Sequence, residues 1–260
     1  MATNLPPLPA AGGAFEQRRA SGCWLLCDSA APLVAFSSRL GGVSEGPYES
    51  LNLGLSTGDD AARVAANRAR LARGLGLGEV ATIRQVHGAG LRVVRDGGPA
   101  GDGDVLATTR PDLALAVSTA DCLGVALWDD ERTALAVVHA GWRGVLAGAL
   151  EAALAWLSRE RPGSGLRAAL GPALRVCCFE VGPEVAERFP ATCIRSGPGR
   201  PHLDLAGAAR RRLAAAGVPD AAIADPGLCT FCTPALLYSH RRDRGVTGRH
   251  WAVARLRPAD

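Results

Sequence analysis

The chain contains no lysine. All 29 of its basic residues are arginines, so a lysine Schiff base and a Walker-type phosphate loop with its lysine are both excluded. Methionine is nearly absent too. Met1 is the only one, which removes the ordinary axial ligand of a blue-copper site. No apolar run approaches the roughly 20 residues that a membrane-spanning helix requires. The N-terminus has no basic start followed by an apolar segment, so a secretion signal is not expected. The arginines are scattered and the net charge is +4. With no basic stripe interleaved with aromatics, nucleic acid is not an expected partner. A cytoplasmic location follows as an expectation. There the eight cysteines are core, metal or catalytic residues in preference to disulfides.

The 260 residues suit one compact domain. Residues 1–20 read as a flexible Pro/Ala/Gly lead-in and 21–260 as the domain. Strands are expected over 23–27, 33–37, 82–86, 91–95, 113–118, 123–128, 134–138, 167–170, 236–239 and 250–256. Helices are expected over 59–74, 145–159, 183–189 and 205–216. Asp59 or Asp60 caps the first, and Val64, Asn67, Arg68 and Leu71 recur along it at helical spacing. Asp204 caps the last and Gly217 ends it. Residues 41–58, rich in Gly, Ser, Pro and Asn, form a long loop of the kind that usually carries function. Asp102 and Asp104 fall in a Gly-Asp turn, and 141–144 in a tight turn. The fold class is therefore α/β or α+β in a single domain.

Three reactive side chains share one kind of position. His87 follows the strand over 82–86, Cys122 the strand over 113–118, and His139 the strand over 134–138. Groups at strand ends converge at one rim of a sheet, and Gly88, Thr119, Ala120, Ala140 and Gly141 leave room around them. Taken singly, each histidine reads as a hydrogen-bonded structural residue and the cysteine as packing. Taken together, two imidazoles and a thiolate suit zinc with a fourth position open, a site that lowers the pKa of bound water to about 7. Asp121 and Asp104 are candidate acid/base or supporting groups, and Ser118 and Thr119 candidate orienters. Arg143, in Gly141-Trp142-Arg143-Gly144 at a strand-to-helix turn, is placed either to hold an anion or to lie on the surface. Arg241, Arg242 and Arg244 form either a solvated turn or an anion clamp. Cys229-Thr230-Phe231-Cys232 is a C-x-x-C pair, either redox-active, zinc-binding or packed; lacking a second close Cys/His pair, packing is the expected reading. The adjacent Cys177 and Cys178 are expected to point apart, with Cys178 facing a pocket beside Glu180. Cys23, Cys27 and Cys193 read as core or surface residues.

Several runs occur in a fixed order: Phe36-Ser37-Ser38-Arg39-Leu40-Gly41-Gly42-Val43-Ser44, Ser50-Leu51-Asn52-Leu53-Gly54, Gln85-Val86-His87-Gly88, Thr119-Ala120-Asp121-Cys122-Leu123, Val138-His139-Ala140-Gly141-Trp142-Arg143-Gly144, Cys178-Phe179-Glu180-Val181-Gly182 and Ser239-His240-Arg241-Arg242-Asp243. Together they closely resemble the laccase-domain family, also called multicopper polyphenol oxidase-like or purine nucleoside phosphorylase family proteins, from about residue 33 onward. Ser38, Gly124 and His240 depart from the residues common there, which are Thr, Pro and Tyr. The resemblance implies a mixed β-sandwich flanked by helices, with His87, Cys122 and His139 as metal ligands. It implies phosphorolysis of adenosine, inosine, guanosine and S-methyl-5'-thioadenosine, and deamination of adenosine. Some relatives carry the label of peptidoglycan editing factor.

Purine nucleosides and phosphate are thus the expected partners. Catalysis is assigned to Cys122, His139 and Asp121. Substrate binding is assigned to Arg39, Asn52, Arg143, Cys178, Glu180 and Arg242. The expected assembly is a monomer or small homo-oligomer, and the expected cofactor is Zn²⁺, with copper as an alternative. A true multicopper oxidase needs more histidines than the five present and a blue-copper site. A metal-free hydrolase, with Cys122 as nucleophile and His139 or His87 as base, is a further reading.

Overall fold

The computed structural model describes residues 15–21, 23–28, 32–197 and 199–256. Its strands and helices in chain order are β1 (Phe15–Ala20), β2 (Cys23–Asp28), β3 (Leu33–Ser37), α1 (Ala61–Leu75), β4 (Glu79–Arg84), β5 (Leu91–Val93), β6 (Gly98–Asp102), β7 (Val105–Thr108), β8 (Leu113–Thr119), β9 (Leu123–Asp129), β10 (Leu135–Ala140), α2 (Trp142–Ala147), α3 (Ala149–Glu160), β11 (Leu166–Leu170), α4 (Pro183–Ala186), β12 (Ile194–Arg195), β13 (His202–Leu203), α5 (Leu205–Ala215), β14 (Ile223–Ala224) and β15 (His250–Arg255). One sheet has the order β1-β2-β3-β15-β8-β4-β6, a second the order β14-β11-β9-β10-β7-β5, and β12 pairs with β13. Both large sheets are mixed. β4 runs parallel to β8 and β6, while β15 runs antiparallel to β3 and β8. β11 is parallel to β14 and antiparallel to β9.

Side-chain alternation sets the layers. On β8, Leu113, Leu115 and Val117 point between the two sheets, while Ala114 and Ala116 face α1. On β10, Leu135 and Val137 point between the sheets, while Ala136, Val138 and Ala140 face α3 and α5. The stack is therefore α1, first sheet, second sheet, then α3 with α5. Strands buried on both faces read as unbroken apolar runs, which makes β8, β9 and β10 legible in the sequence. Each fully buried Leu or Val there contributes roughly 1.5–3 kcal/mol.

Several boundaries differ from expectation. Residues 15–20, placed in the lead-in, form edge strand β1 against β2. The side chains of Cys23 and Cys27 and the rest of the lead-in, 1–14, lie outside the described residues. α1 starts at Ala61, and its cap is Asp60, whose side chain accepts from the Ala62 and Arg63 amides. The expected helix over 145–159 is two helices, because Gly148 takes the left-handed region at φ 91° and closes α2 before α3 begins. The turn over 141–144 is instead the start of α2, with Gly141 as its N-cap. Residues 236–239 are not a strand. Their backbone groups bind outside any ladder: the Tyr238 amide donates to His250 Nε2, and the Leu237 carbonyl accepts from Arg242. The long loop is ordered by α1. Buried Asn67 accepts from the Val43 amide and donates to Ser44 Oγ and to the Ser50 and Asn52 carbonyls.

Candidate metal centre

The centre forms at one end of the sandwich, where the sheets meet. β4 and β8 run in parallel and end together. Gln85 locks those ends: its side-chain amide donates to the Ser118 carbonyl (2.7 Å), and its oxygen accepts from the Ser118 amide (2.9 Å). The chain then crosses from the first sheet to the second through residues 120–122. His139 lies within β10, one residue before its end, not after it as expected. It is in phase with Leu135 and Val137, so its ring points between the sheets at the same end.

The ligand atoms of His87, Cys122 and His139 all lie within 4.8 Å of one another. The two imidazole rings meet edge to face, with centroids 4.9 Å apart. His139 is buried, Cys122 half-buried and His87 exposed, so the group opens to solvent on the His87 side. A Cβ placed on Gly141 would meet Cys122 Sγ at 3.0 Å and His87 Cδ2 at 3.4 Å. Any side chain there would press on Cys122 Sγ, and the crowding comes from the two candidate ligands, not from backbone conformation.

Asp104 organises the group and is itself fully buried. Its Oδ1 binds His139 Nδ1 at 2.8 Å and accepts from the His87 amide at 3.0 Å. Its Oδ2 accepts from the Gly88 amide at 2.7 Å and the Val86 amide at 3.3 Å. The same carboxylate thus holds His87 at φ 60°, a costly conformation for a non-glycine residue. It also takes Nδ1 of His139, leaving Nε2 for a metal. A carboxylate behind a ligating histidine is the usual support of such a site. Burial pushes the Asp104 pKa up, but the His139 hydrogen bond and the Gly88 and His87 amides outweigh it, and the carboxyl is held below its ordinary range.

Electrostatics prime the thiolate. Burial alone would raise the Cys122 pKa, but His139 and then His87 bring it down to about 6. Burial would lower the pKa of His139; the Cys122 thiolate and the Asp104 hydrogen bond raise it to about 9. Both shifts favour the thiolate and imidazolium forms of the pair, and cation binding at Nε2 requires loss of the imidazolium proton. Arg249, half-buried, feels the charges of Asp121 and Cys122. Sequence reasoning missed it, since no motif marks it. Two imidazoles and one thiolate, the buried imidazole backed by a carboxylate, fit zinc with an open fourth position.

The remaining assigned residues divide. Asp121 takes φ 93°. Its Oδ1 accepts from Thr230 Oγ1 and its Oδ2 from the Arg241 amide, each at 2.6 Å. Each Asp121 oxygen thus accepts one hydrogen bond from the loops that carry Thr230 and Arg241. Asn52 is not a substrate ligand. It is fully buried, donating to Thr57 and Asp59 and accepting from the Gly54 and Arg249 amides. Arg242 is not a phosphate ligand either. Its guanidinium binds Asp243 with both Nε and Nη2 and donates to the Thr230 and Leu237 carbonyls. Arg39 donates to the Glu49 and Pro234 carbonyls and lies over the Tyr238 ring, tying loops together. Cys178 points to Cys232 Sγ at 3.2 Å instead of a substrate pocket. Arg143 remains exposed, stacked 4.4 Å over Trp142, and among the described residues its guanidinium has no hydrogen-bond partner. Glu180 is also exposed, and its carbonyl accepts from Arg241.

Residues 33–257 match the family described as multi-copper polyphenol oxidoreductase laccase. The purine nucleoside phosphorylase of Deinococcus radiodurans is 42% identical over 231 residues, covering 85% of this chain and 88% of that protein. The purine nucleoside phosphorylase YlmD of Geobacillus stearothermophilus is 37% identical over 259 residues, covering 90% and 94%. The crystal structure of that organism's YlmD superposes with a TM-score of 0.86 at 34% identity, covering 95% of this chain and 100% of that one. The Bacillus licheniformis hypothetical protein YfiH superposes with a TM-score of 0.85 at 32% identity, covering 93% and 99%.

Proposed function

This chain belongs to the multi-copper polyphenol oxidoreductase laccase family, and on that premise we propose that it is a purine nucleoside phosphorylase whose reaction centre is a zinc site of His87, Cys122 and His139. The substrates are adenosine, inosine, guanosine and S-methyl-5'-thioadenosine with phosphate, and adenosine is also deaminated. The observation that carries the reading is the convergence of the three ligand atoms within 4.8 Å at a solvent-open end of the sandwich, in a chain whose relatives bear the phosphorylase name.

When bound, zinc supplies a Lewis-acid centre. The protein's own groups do the rest. Asp104 keeps the His139 imidazole in one tautomer and His87 in its strained conformation. Arg143, on the helix that begins where Gly141 meets Cys122 and His87, offers donors to phosphate, and its stacking on Trp142 limits the guanidinium's freedom. Glu180 is available to accept from ribose hydroxyls. Arg249 supplies positive charge toward Cys122. Zinc is preferred to the copper of the family's description because a His₂Cys copper site ordinarily takes an axial Met, and Met1 is the chain's only methionine, whereas three ligands with an open fourth position are a catalytic zinc set.

Incubation with adenosine and phosphate, following adenine, inosine, hypoxanthine and ribose 1-phosphate, tests the proposal. Wild type is expected to turn over, and Cys122→Ala and chelated wild type to lose turnover. Unchanged activity in both altered samples refutes the metal-centre reading. Activity that survives chelation but not Cys122→Ala points to a metal-free cysteine hydrolase instead.

A further inference from the structure

A second group of thiols stands outside the centre described above. Cys177 and Cys178 leave β11 on one loop; Cys229 and Cys232 lie on the loop before the Arg241 turn. The four Sγ atoms are all within 4.8 Å of one another. Cys177 Sγ lies 3.8 Å from Cys232 Sγ, and Cys178 Sγ lies 3.2 Å from it. A tetrahedral zinc with Zn–S of about 2.3 Å separates its sulfurs by about 3.8 Å. We propose that Cys177, Cys178, Cys229 and Cys232 bind one zinc ion in a closed tetrathiolate site that staples the two loops together.

The backbone supports this reading independently. The Cys177-Cys178 pair sits in a turn, not a strand, so adjacent side chains are not thrown to opposite faces. Ala173 and Cys229 form a parallel bridge, flanked by hydrogen bonds from the Ala173 amide to the Leu228 carbonyl and from the Thr230 amide to the Ala173 carbonyl. The loops are thus held side by side before any metal binds. The spacing Cys229-x-x-Cys232 is that of a zinc-binding turn. Binding of a divalent cation releases the thiol protons.

An all-sulfur set with no imidazole or carboxylate selects a soft or borderline ion, and four ligands leave no open position. The site is therefore structural. It also reaches the first centre: Thr230, inside the C-x-x-C turn, donates to Asp121 at 2.6 Å, and Asp121 precedes Cys122.

Metal analysis of protein purified under reductant, without added copper, tests the proposal. Wild type is expected to hold two zinc ions per chain, Cys122→Ala one, Cys232→Ser one, and the double variant none. Reconstitution of Cys122→Ala with cobalt is expected to give tetrahedral d–d bands with strong thiolate-to-cobalt charge transfer. Should Cys232→Ser fail to fold, the Cys122→Ala protein alone decides. Absence of zinc from that protein, iron in its place, or a Cys178–Cys232 disulfide found by mass spectrometry under reductant overturns the proposal. Failure of the first zinc site gives a different pattern: one ion in wild type and in Cys122→Ala, and none in Cys232→Ser.

Discussion

Asp104→Asn is the sharpest perturbation of the centre. The two carboxylate oxygens serve different donors: Oδ1 takes His139 Nδ1 and the His87 amide, and Oδ2 takes the Gly88 and Val86 amides. The variant's NH₂ group must replace one of those oxygens and face donors on either side. A buried donor left without an acceptor costs about 1–3 kcal/mol. For a chain of this size that corresponds to a fall in Tm of roughly 2–12 °C. Losing the carboxylate behind a ligating histidine also lowers metal affinity, by about 10- to 100-fold, or roughly 1.4–2.8 kcal/mol. Competition against a chromophoric zinc chelator measures the second effect and thermal denaturation of the chelated protein the first. Asp102→Asn is the control. That side chain is about half exposed and pairs with the exposed Arg84, an interaction of low value. Its expected change is within about 0.5 kcal/mol, with zinc affinity unaltered. Zinc affinity of Asp104→Asn within twofold of wild type would falsify the organising role given to Asp104.

Gly141→Ala puts a Cβ against Cys122 Sγ and His87 Cδ2, so it should weaken zinc binding and turnover while leaving the secondary structure intact; an unchanged zinc affinity shows that the ligands do not pack there. Arg143→Ala should raise the KM for phosphate at constant zinc content, whereas Arg242→Ala should lower Tm by removing the Asp243 pair and three carbonyl ties; a reversal of the two outcomes shows that the phosphate assignment is misplaced. His250 is buried and neutral, its pKa brought from 6.5 down to about 3 by burial first and then, against a Thr119 hydrogen bond, by nearby arginines. Its folded pKa lies below its unfolded one, so its contribution is complete above about pH 6.5 and is lost as pH falls toward 3. Between pH 7 and pH 5 the chelated protein should lose about 2 kcal/mol from this group, a loss that urea titrations should find absent from His250→Gln.

How far the centre was legible follows from where its parts lie. β8, β9 and β10 are visible as apolar runs because helices and a second sheet bury both their faces; Cys122 lies between β8 and β9, His139 near the end of β10, and His87 after the less apolar β4. That adjacency made His87, Cys122 and His139 candidates, and the ordered motifs brought them together. Asp204 and Asp60 announced their helices through capping chemistry, which is local. The break at Gly148 was not announced, since one glycine inside an apolar periodicity does not by itself end a helix.

The sequence alone therefore determined the fold class, the central strands and the three candidate ligands, because each rests on local periodicity or on a contiguous motif. Tertiary structure decided the rest. Asn52 and Arg242 stand in motifs, yet folding commits their polar atoms to backbone and side-chain partners and leaves none for substrate. Asp104 was one of two candidate supporting carboxylates, and only the fold, by bringing His139 to it across 35 positions, shows which group it holds. Cys177 and Cys178 looked divergent, and the C-x-x-C pair looked alone. The bridge between Ala173 and Cys229 closes a gap of more than 50 residues, and only that pairing of loops turns two unremarkable cysteine pairs into one four-sulfur group.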